Sequence, residues 1–322
     1  MKLRLLVIGD IAWDIFIRPE GDLVRGSDVL GTVDVMPGGA AANVAVWARR
    51  LGADVTLVGK LGDDTLGTLM LAHLEAEGVG RHVIIVPGGL STRVGILVSP
   101  DGEHSFVIDH TKVLRFDEGD APASLLDSAD AVFFNGYDIF LARSTSFLAP
   151  LLAEARTRRL PVVFDPSSFT LIKAFGPERL MDGVGTLDVL IANDAEAHVL
   201  RGSRPLATLA SRAKLVVVKQ GASGASAHTA DAAWCAGVVP VTVVDTTGAG
   251  DAFDAAFLVE WLRSGDVGAA LQAGNRLGAH VASHLGAQPP LPQAVPGGGL
   301  KPPGYEGGSY EGAQRRNALP PR

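Results

Sequence analysis

The chain has 322 residues, 47% of them apolar, which is enough for one large α/β domain with a substantial core. Its 28 basic and 35 acidic residues leave a net charge of −7, which argues against a nucleic-acid-binding surface. A single cysteine, Cys235, excludes an internal disulfide, and no apolar run is long enough for a membrane span, so the expectation is a soluble, cytoplasmic protein.

In chain order, the short apolar run at 3–8 reads as a first buried strand rather than a signal peptide. Residues 11–36 look like paired, more polar strands, and residues 93–110 look similar, with Pro-Asp-Gly at 100–102 as a hairpin signal. Strands of this kind inserted in an α/β body are candidates for a lid over a site. Residues 41–51 have helical spacing, with Val44, Trp47, Ala48 and Leu51 in one stripe, and 65–77 do the same through Leu66, Leu69, Met70 and Leu74. Further strand-like runs occupy 55–58, 131–134, 162–164, 189–192, 215–219 and 241–244. β-Branched runs alternating with helices indicate a mostly parallel sheet covered on both faces. From Pro296 onward the chain is rich in glycine and proline without apolar periodicity, so a body at 1–295 and a disordered tail at 296–322 are expected.

The most informative stretch is DTTGAGDAF at 245–253, between the run at 241–244 and an apolar helix carrying Phe253, Ala256, Phe257 and Trp261. Amide groups of Gly248, Ala249 and Gly250, with the unpaired N–H groups and dipole of the helix, form an anion hole. Asp251 reads in two ways on its own: as a helix cap, or as a base that takes a proton from an attacking hydroxyl in phosphoryl transfer. A second stretch, GGAAANVA at 38–45, pairs Gly38 and Gly39 with Asn43 at a helix start. In GDDTLG at 62–67, Asp64 or Thr65 is placed to cap the next helix.

Together these stretches are similar to the ribokinase-like carbohydrate kinases, the pfkB family. GDIAWD at 9–14, GGAAANVA, VGKLGDD at 58–64, NDAE at 193–196, KQGASGA at 219–225, DTTGAGDAF and GAQPPLP at 286–292 carry the resemblance in order along residues 3–293. It implies a ribokinase-like three-layer α/β/α sandwich with a mostly parallel central sheet and a small β-lid. It also implies an ATP-dependent, magnesium-requiring kinase for a primary hydroxyl of a small sugar or sugar acid. Asp14 would grip substrate hydroxyls, with Gly38, Gly39 and Asn43 completing the sugar floor, and Asp251 would be the base. Asn193 and Glu196 would organise magnesium through bound waters. Lys219, Gly221 and Gly224 would lie along the nucleotide, and Asn275 would border the adenine. A homodimer through the lid follows from the same resemblance. Asp245, Thr247 and the segment from Gly286 lie where relatives hold a monovalent cation, but Pro290 departs from their usual small polar residue, which leaves that cation open.

Other readings fare worse. His280 and His284 share a helix face but lack the adjacent glutamate of a zinc protease. No Walker sequence is present, because Leu61 follows the lysine of GKLGDD, and no G-x-G-x-x-G follows the first strand. Arg93 and Lys112 flank the second lid segment and could meet a substrate phosphate. A nucleoside kinase of the same family, with a base slot built from Trp13, Phe16 or Phe106, is the nearest alternative. A sugar-binding sensor without catalysis is the alternative from another class.

Overall fold

Leu5 and Val7 join one apolar core and Leu6 and Ile8 another, and all four are buried. A strand buried on both faces is the signature of a parallel sheet between two helical layers. The structure, a computed structural model, describes residues 2–99, 104–109 and 114–291. The tail expected at 296–322, the hairpin turn at 100–102 and Lys112 lie outside the described residues.

The first half runs β1 (Arg4–Ile8), β2 (Ala12–Pro19), β3 (Gly31–Gly38), α1 (Ala40–Arg50), β4 (Asp54–Gly62), α2 (Thr65–Ala76), β5 (Gly80–Val86), β6 (Thr92–Val98) and β7 (His104–Ile108). The second half runs β8 (Ala131–Asn135), α3 (Tyr137–Ala142), α4 (Ala149–Thr157), β9 (Val162–Asp165), α5 (Phe169–Phe175), α6 (Pro177–Val184), β10 (Leu187–Asn193) and α7 (Asp194–Arg201). It ends with β11 (Ala213–Lys219), β12 (Ala225–His228), β13 (Ala233–Ala236), α8 (Ala249–Ser264) and α9 (Val267–Ala282).

The main sheet has the order β13-β12-β11-β10-β9-β8-β1-β4-β5. It is parallel from β11 to β5, and only β12 and β13 join antiparallel. Helices α1, α8 and α9 pack on the face carrying Leu5, Val7 and Phe133, while α4, α6 and α7 pack on the face carrying Leu6, Ile8 and Phe134. Adjacent Phe133 and Phe134 are thus buried on opposite faces, each contributing about 1.5–3 kcal/mol of hydrophobic stabilisation. Helix α8 has all of Ala252 to Val259 buried, since it lies against the sheet, α1 and α9 at once.

A second sheet, β3-β2-β6-β7, is built from the two segments that read as insertions. Its register pairs Asp14 with Met36 and Val94, so these side chains share one face with Phe16, Ile96 and Phe106. Ile17, Val33, Val35 and Val107 lie on the opposite face, all exposed.

One sequence expectation fails. Residues 241–244 are not a strand. Val241, Val243 and Val244 are exposed, and the amides of Val244 and Asp245 bond to Ala282 O at the end of α9, at 2.8 and 3.2 Å. β-Branched composition favours a strand only where a neighbouring strand and a half-buried face exist, and here a helix terminus takes the hydrogen bonds instead. The strands β5, β12 and β13, poor in buried apolar alternation, were not anticipated.

Candidate active site

In an open parallel sheet, ligands bind outside the carboxyl ends of the strands. Here five of those ends carry a polar group: Asp10 just beyond β1, Asn135 closing β8, Asp165 closing β9, Asn193 closing β10 and Lys219 closing β11. Asp10 organises the first part of the site. Its carboxylate accepts the amides of Ala40 and Ala41 at 3.0 and 3.2 Å and the Asn135 amide at 2.5 Å. Helix α1 is therefore capped from a different loop, because its own N-cap, Gly39, has no side chain to do so.

Asp14 on β2 is 6% exposed, and no described group donates a hydrogen bond to it. Gly38, which pairs with Ala12 two residues along β2, lies so close that a Cβ there would collide with the Asp14 carboxyl. Burial, then the charges of Asp10, Asp251 and Asp245, push the Asp14 carboxyl up to about 7. An acid held this way lacks donors, and hydroxyl groups of a polyol would supply them.

Asp251 stands in the first turn of α8, half-buried. Its Oδ2 accepts from Asn43 Nδ2 at 2.8 Å, and no described residue bonds Oδ1. Burial pushes its carboxyl up to about 7, Asn43 and Lys219 opposing the rise and Asp165 and Asp10 adding to it. The helix cap is Gly248, with φ +72, where a Cβ would overlap Ala287. Both the left-handed conformation and the contact demand glycine.

The amides of this turn differ from the sequence expectation in one respect. Ala249 N donates to Thr246 O at 3.2 Å, so it is taken by the turn itself. The amides with no described partner are those of Gly248, Gly250 and Asp251, and these three form the open donor set. Asp245 staples the loop, accepting Thr247 N at 2.9 Å and Gly286 N at 2.8 Å. His104, from β7 of the small sheet, reaches the same corner, 3.7 Å from Asp245 and 3.4 Å from Thr247 Oγ1.

Lys219 is held by two carboxylates. Its Nζ lies 2.6 Å from Asp165 and 2.9 Å from Asp254, beneath the turn and 3.3 Å from where a Cβ on Gly250 would stand. Burial works against its charge, but Asp165, Asp254 and Glu196 outweigh burial and hold it well above the usual lysine range. Burial drives the Asp254 carboxyl up, while the Lys219 charge keeps Asp165 below its ordinary value despite burial. Asn193 and Glu196 form a capping box on α7: Glu196 N donates to Asn193 Oδ1 at 2.9 Å, and Asn193 N and Nδ2 donate to the two Glu196 oxygens at 2.8 and 2.7 Å. Glu196 is 2% exposed, and burial, then Asp165, pushes it up to about 7. Gly221 faces open space, whereas Gly224 abuts the end of β13, so its lack of a side chain is explained by backbone packing. Asn275 ties α9 to β13, donating to Ala236 O and Gly237 O at 3.0 and 2.9 Å.

A family model, described as pfkB family carbohydrate kinase, matches residues 2–294. The chain belongs to this family. Among relatives of this pfkB kinase, an ATP-dependent ribose-1-phosphate kinase of Halopiger xanaduensis is 32% identical over 293 residues, covering 89% of this chain and 94% of the other. A ribokinase of Bacillus subtilis is 28% identical over 294 residues, covering 90% and 96%. The crystal structure of adenosine kinase from Sinorhizobium meliloti has the same fold, with a TM-score of 0.81, 23% identity, and 90% and 97% coverage.

The structure thus brings Asp14, Gly38, Asn43, Asp251 and the 248–251 turn together, with Lys219 beneath the turn and Asn193 and Glu196 paired at the end of β10. Asn275 bonds the same Ala236 and Gly237 backbone that Gly224 abuts, so these two candidates lie side by side. Sequence reasoning missed Asp10, Asn135, Tyr137, Asp165 and Asp254. Tyr137 is raised by burial first, then by Asp10, Asp251, Asp165 and Glu196, which places it among them. The available signal was a polar residue ending an apolar strand run, as in VFFN at 132–135 and VVFD at 162–165. Asp254 carried no such signal, being one more residue in a helix.

Proposed function

We propose that this carbohydrate kinase uses ATP to phosphorylate a primary hydroxyl of a small sugar or sugar-like polyol. The observation that carries the reading is Asp251: one carboxylate oxygen is tied to Asn43, the other has no described partner, and it stands in the first helical turn beside the unpartnered amides of Gly248 and Gly250. In this reading Asp14 accepts hydroxyl hydrogens of the substrate and orients it. Asp251 takes the proton of the attacking hydroxyl as the new O–P bond forms and the bond from the γ-phosphorus to ADP breaks. The amides of Gly248, Gly250 and Asp251 stabilise charge on the transferred group, the kind of preorganised donor set whose loss costs about 3–4 kcal/mol in the barrier. The small sheet acts as the lid and excludes water, with His104 meeting the anion turn.

Magnesium suits the residues present only through its waters. Both Glu196 oxygens already accept from Asn193, and among the described residues no cluster of three His, Cys, Asp or Glu could grip a metal. Bound with ATP, the ion would neutralise phosphate charge, and Asn193 and Glu196 would hold its hydration shell. A monovalent cation has no part in this reading, because both Asp245 oxygens accept amide bonds and the His104 ring stands beside them.

The exposed apolar face of Ile17, Val33, Val35 and Val107 supports a homodimer in which two lids pack together, since such a face is otherwise left in water. Among the described residues no helix is long and apolar enough to cross a membrane. A nucleoside acceptor is the second reading. It rests on Phe106, whose exposed ring shares the Asp14 face of the lid and could cover a base. Release of ADP is the test, measured against pentoses, ketohexoses, sugar phosphates, sugar acids and nucleosides. Turnover on a neutral sugar is the expected result. Turnover confined to nucleosides would replace the sugar reading, and binding of sugars without any turnover would overturn the kinase mechanism.

A further inference from the structure

We propose that His73 and Gln288 are positioning residues for Asp251, acting through Asn43. Gln288 Nε2 donates to Asn43 Oδ1 at 2.7 Å, and His73 Nε2 lies 2.7 Å from Gln288 Oε1. With the 2.8 Å bond from Asn43 to Asp251, this makes one continuous line from α2 to the carboxylate. The inference rests on the reading of Asp251 as the base.

The direction of the line is fixed by its end. A carboxylate oxygen accepts, so Asn43 must present its NH2 group to Asp251. Its carbonyl then faces Gln288, which must present NH2 in turn. The Gln288 carbonyl is left for His73, which meets it with Nε2–H. Every donor points toward Asp251, and no member can flip without placing acceptor against acceptor.

The backbone under Gln288 is pinned as well. Trp47 Nε1 donates to Ala287 O at 2.9 Å, and Arg50 donates to Gln288 O and Pro289 O at 3.2 and 2.7 Å. Arg50 is itself clamped by both oxygens of Glu77, at 2.8 and 2.6 Å. Helix α2 and the loop after α9 thereby fix which oxygen of Asp251 is occupied and which is open to the substrate hydroxyl. Positioning of this kind acts on the chemical step rather than on binding of ATP.

The experiment compares Gln288→Met, Gln288→Glu, His73→Leu and His73→Gln with the parent and with Asp251→Asn, reading kcat and both KM values per folded molecule. Gln288→Met and His73→Leu are expected to lower kcat about 10- to 100-fold, as loss of an outer partner does elsewhere, with KM for ATP within about twofold. His73→Gln keeps a donor at similar reach and is expected to recover most of the loss. Gln288→Glu preserves shape but offers only acceptors, so it should lower kcat at least as far as Gln288→Met. If Gln288→Glu and His73→Leu retained parental kcat while Asp251→Asn was inactive, the positioning role would be wrong and the base assignment intact. Parental turnover in Asp251→Asn would remove the base reading itself. Should Gln288→Met fold poorly, the Gln288→Glu and His73 pairs decide the question alone.

Discussion

Asn43 on α1 and Asp251 on α8 are 208 residues apart in sequence, yet their side chains meet at 2.8 Å. The contact holds one oxygen of the carboxylate and leaves the other without a described partner. On the reading of Asp251 as the base, Asp251→Asn removes the proton acceptor while preserving the shape. It is expected to lower kcat by about 10²–10⁴-fold with little change in KM for ATP, because a general base acts mainly in the transition state. Steady-state kinetics on the preferred sugar checks this.

Asp14→Ala should act on the other parameter. The buried carboxyl has no described donor and lies against Gly38, so its role is read as holding substrate hydroxyls. Sugar KM is expected to rise by about 10-fold or more, the range for losing charged hydrogen bonds, with ATP KM unchanged. An unaltered sugar KM would show that the carboxyl faces elsewhere.

Activity and stability should run in opposite directions with pH. Asp14, Asp251 and Glu196 all have carboxyls pushed up to about 7. On the reading of Asp251 as the base, its carboxyl must be ionised, so kcat/KM is expected to climb through pH 7. The folded protein binds these protons more tightly than the unfolded chain does. The stability they contribute is complete below about pH 4 and is lost as pH rises through 7. Between pH 5.5 and 8 the ligand-free protein should therefore lose Tm from these groups while its activity increases. Calorimetry and initial rates over the same buffers test both signs.

Gly248→Ala places a side chain at φ +72 and against Ala287. The conformation alone costs about 1–2 kcal/mol, and the overlap adds to it. A fall in Tm of about 3 °C or more is expected, together with a kcat loss on the order of 10²-fold as the donor amides shift.

Val35→Asp charges the exposed outer face of the lid sheet without touching the face that carries Asp14. Light scattering after gel filtration is expected to show a dimer for the parent chain and a monomer for the variant. A monomeric parent would remove the dimer from the reading.

Much of the candidate site was legible as a cluster because its residues sit in dense local patterns. Gly248, Asp251, Gly38 and Asn43 each stand where a strand or loop gives way to a helix, and such junctions leave amides and caps that small and acidic residues mark. The failures have physical causes. The run at 241–244 has strand composition but no strand neighbour. Ala249 lies in the same turn as Gly248, and only three-dimensional geometry shows its amide bonded to Thr246. Lys219 ends a strand, and only the tertiary structure shows Asp165 and Asp254 arriving from other elements to pair with it.

The sequence alone determined the alternation of buried strands and helices, the helix mouth at 248–251 and the family, since these depend on short-range pattern and residue type. Tertiary structure decided which partners close over each group. Asp10 caps a helix that begins 30 residues later, and His73, Gln288 and Asn43 converge on Asp251 from three separate segments. Hydrogen bonds between distant segments are fixed by packing, and packing leaves no periodicity for a single sequence to display.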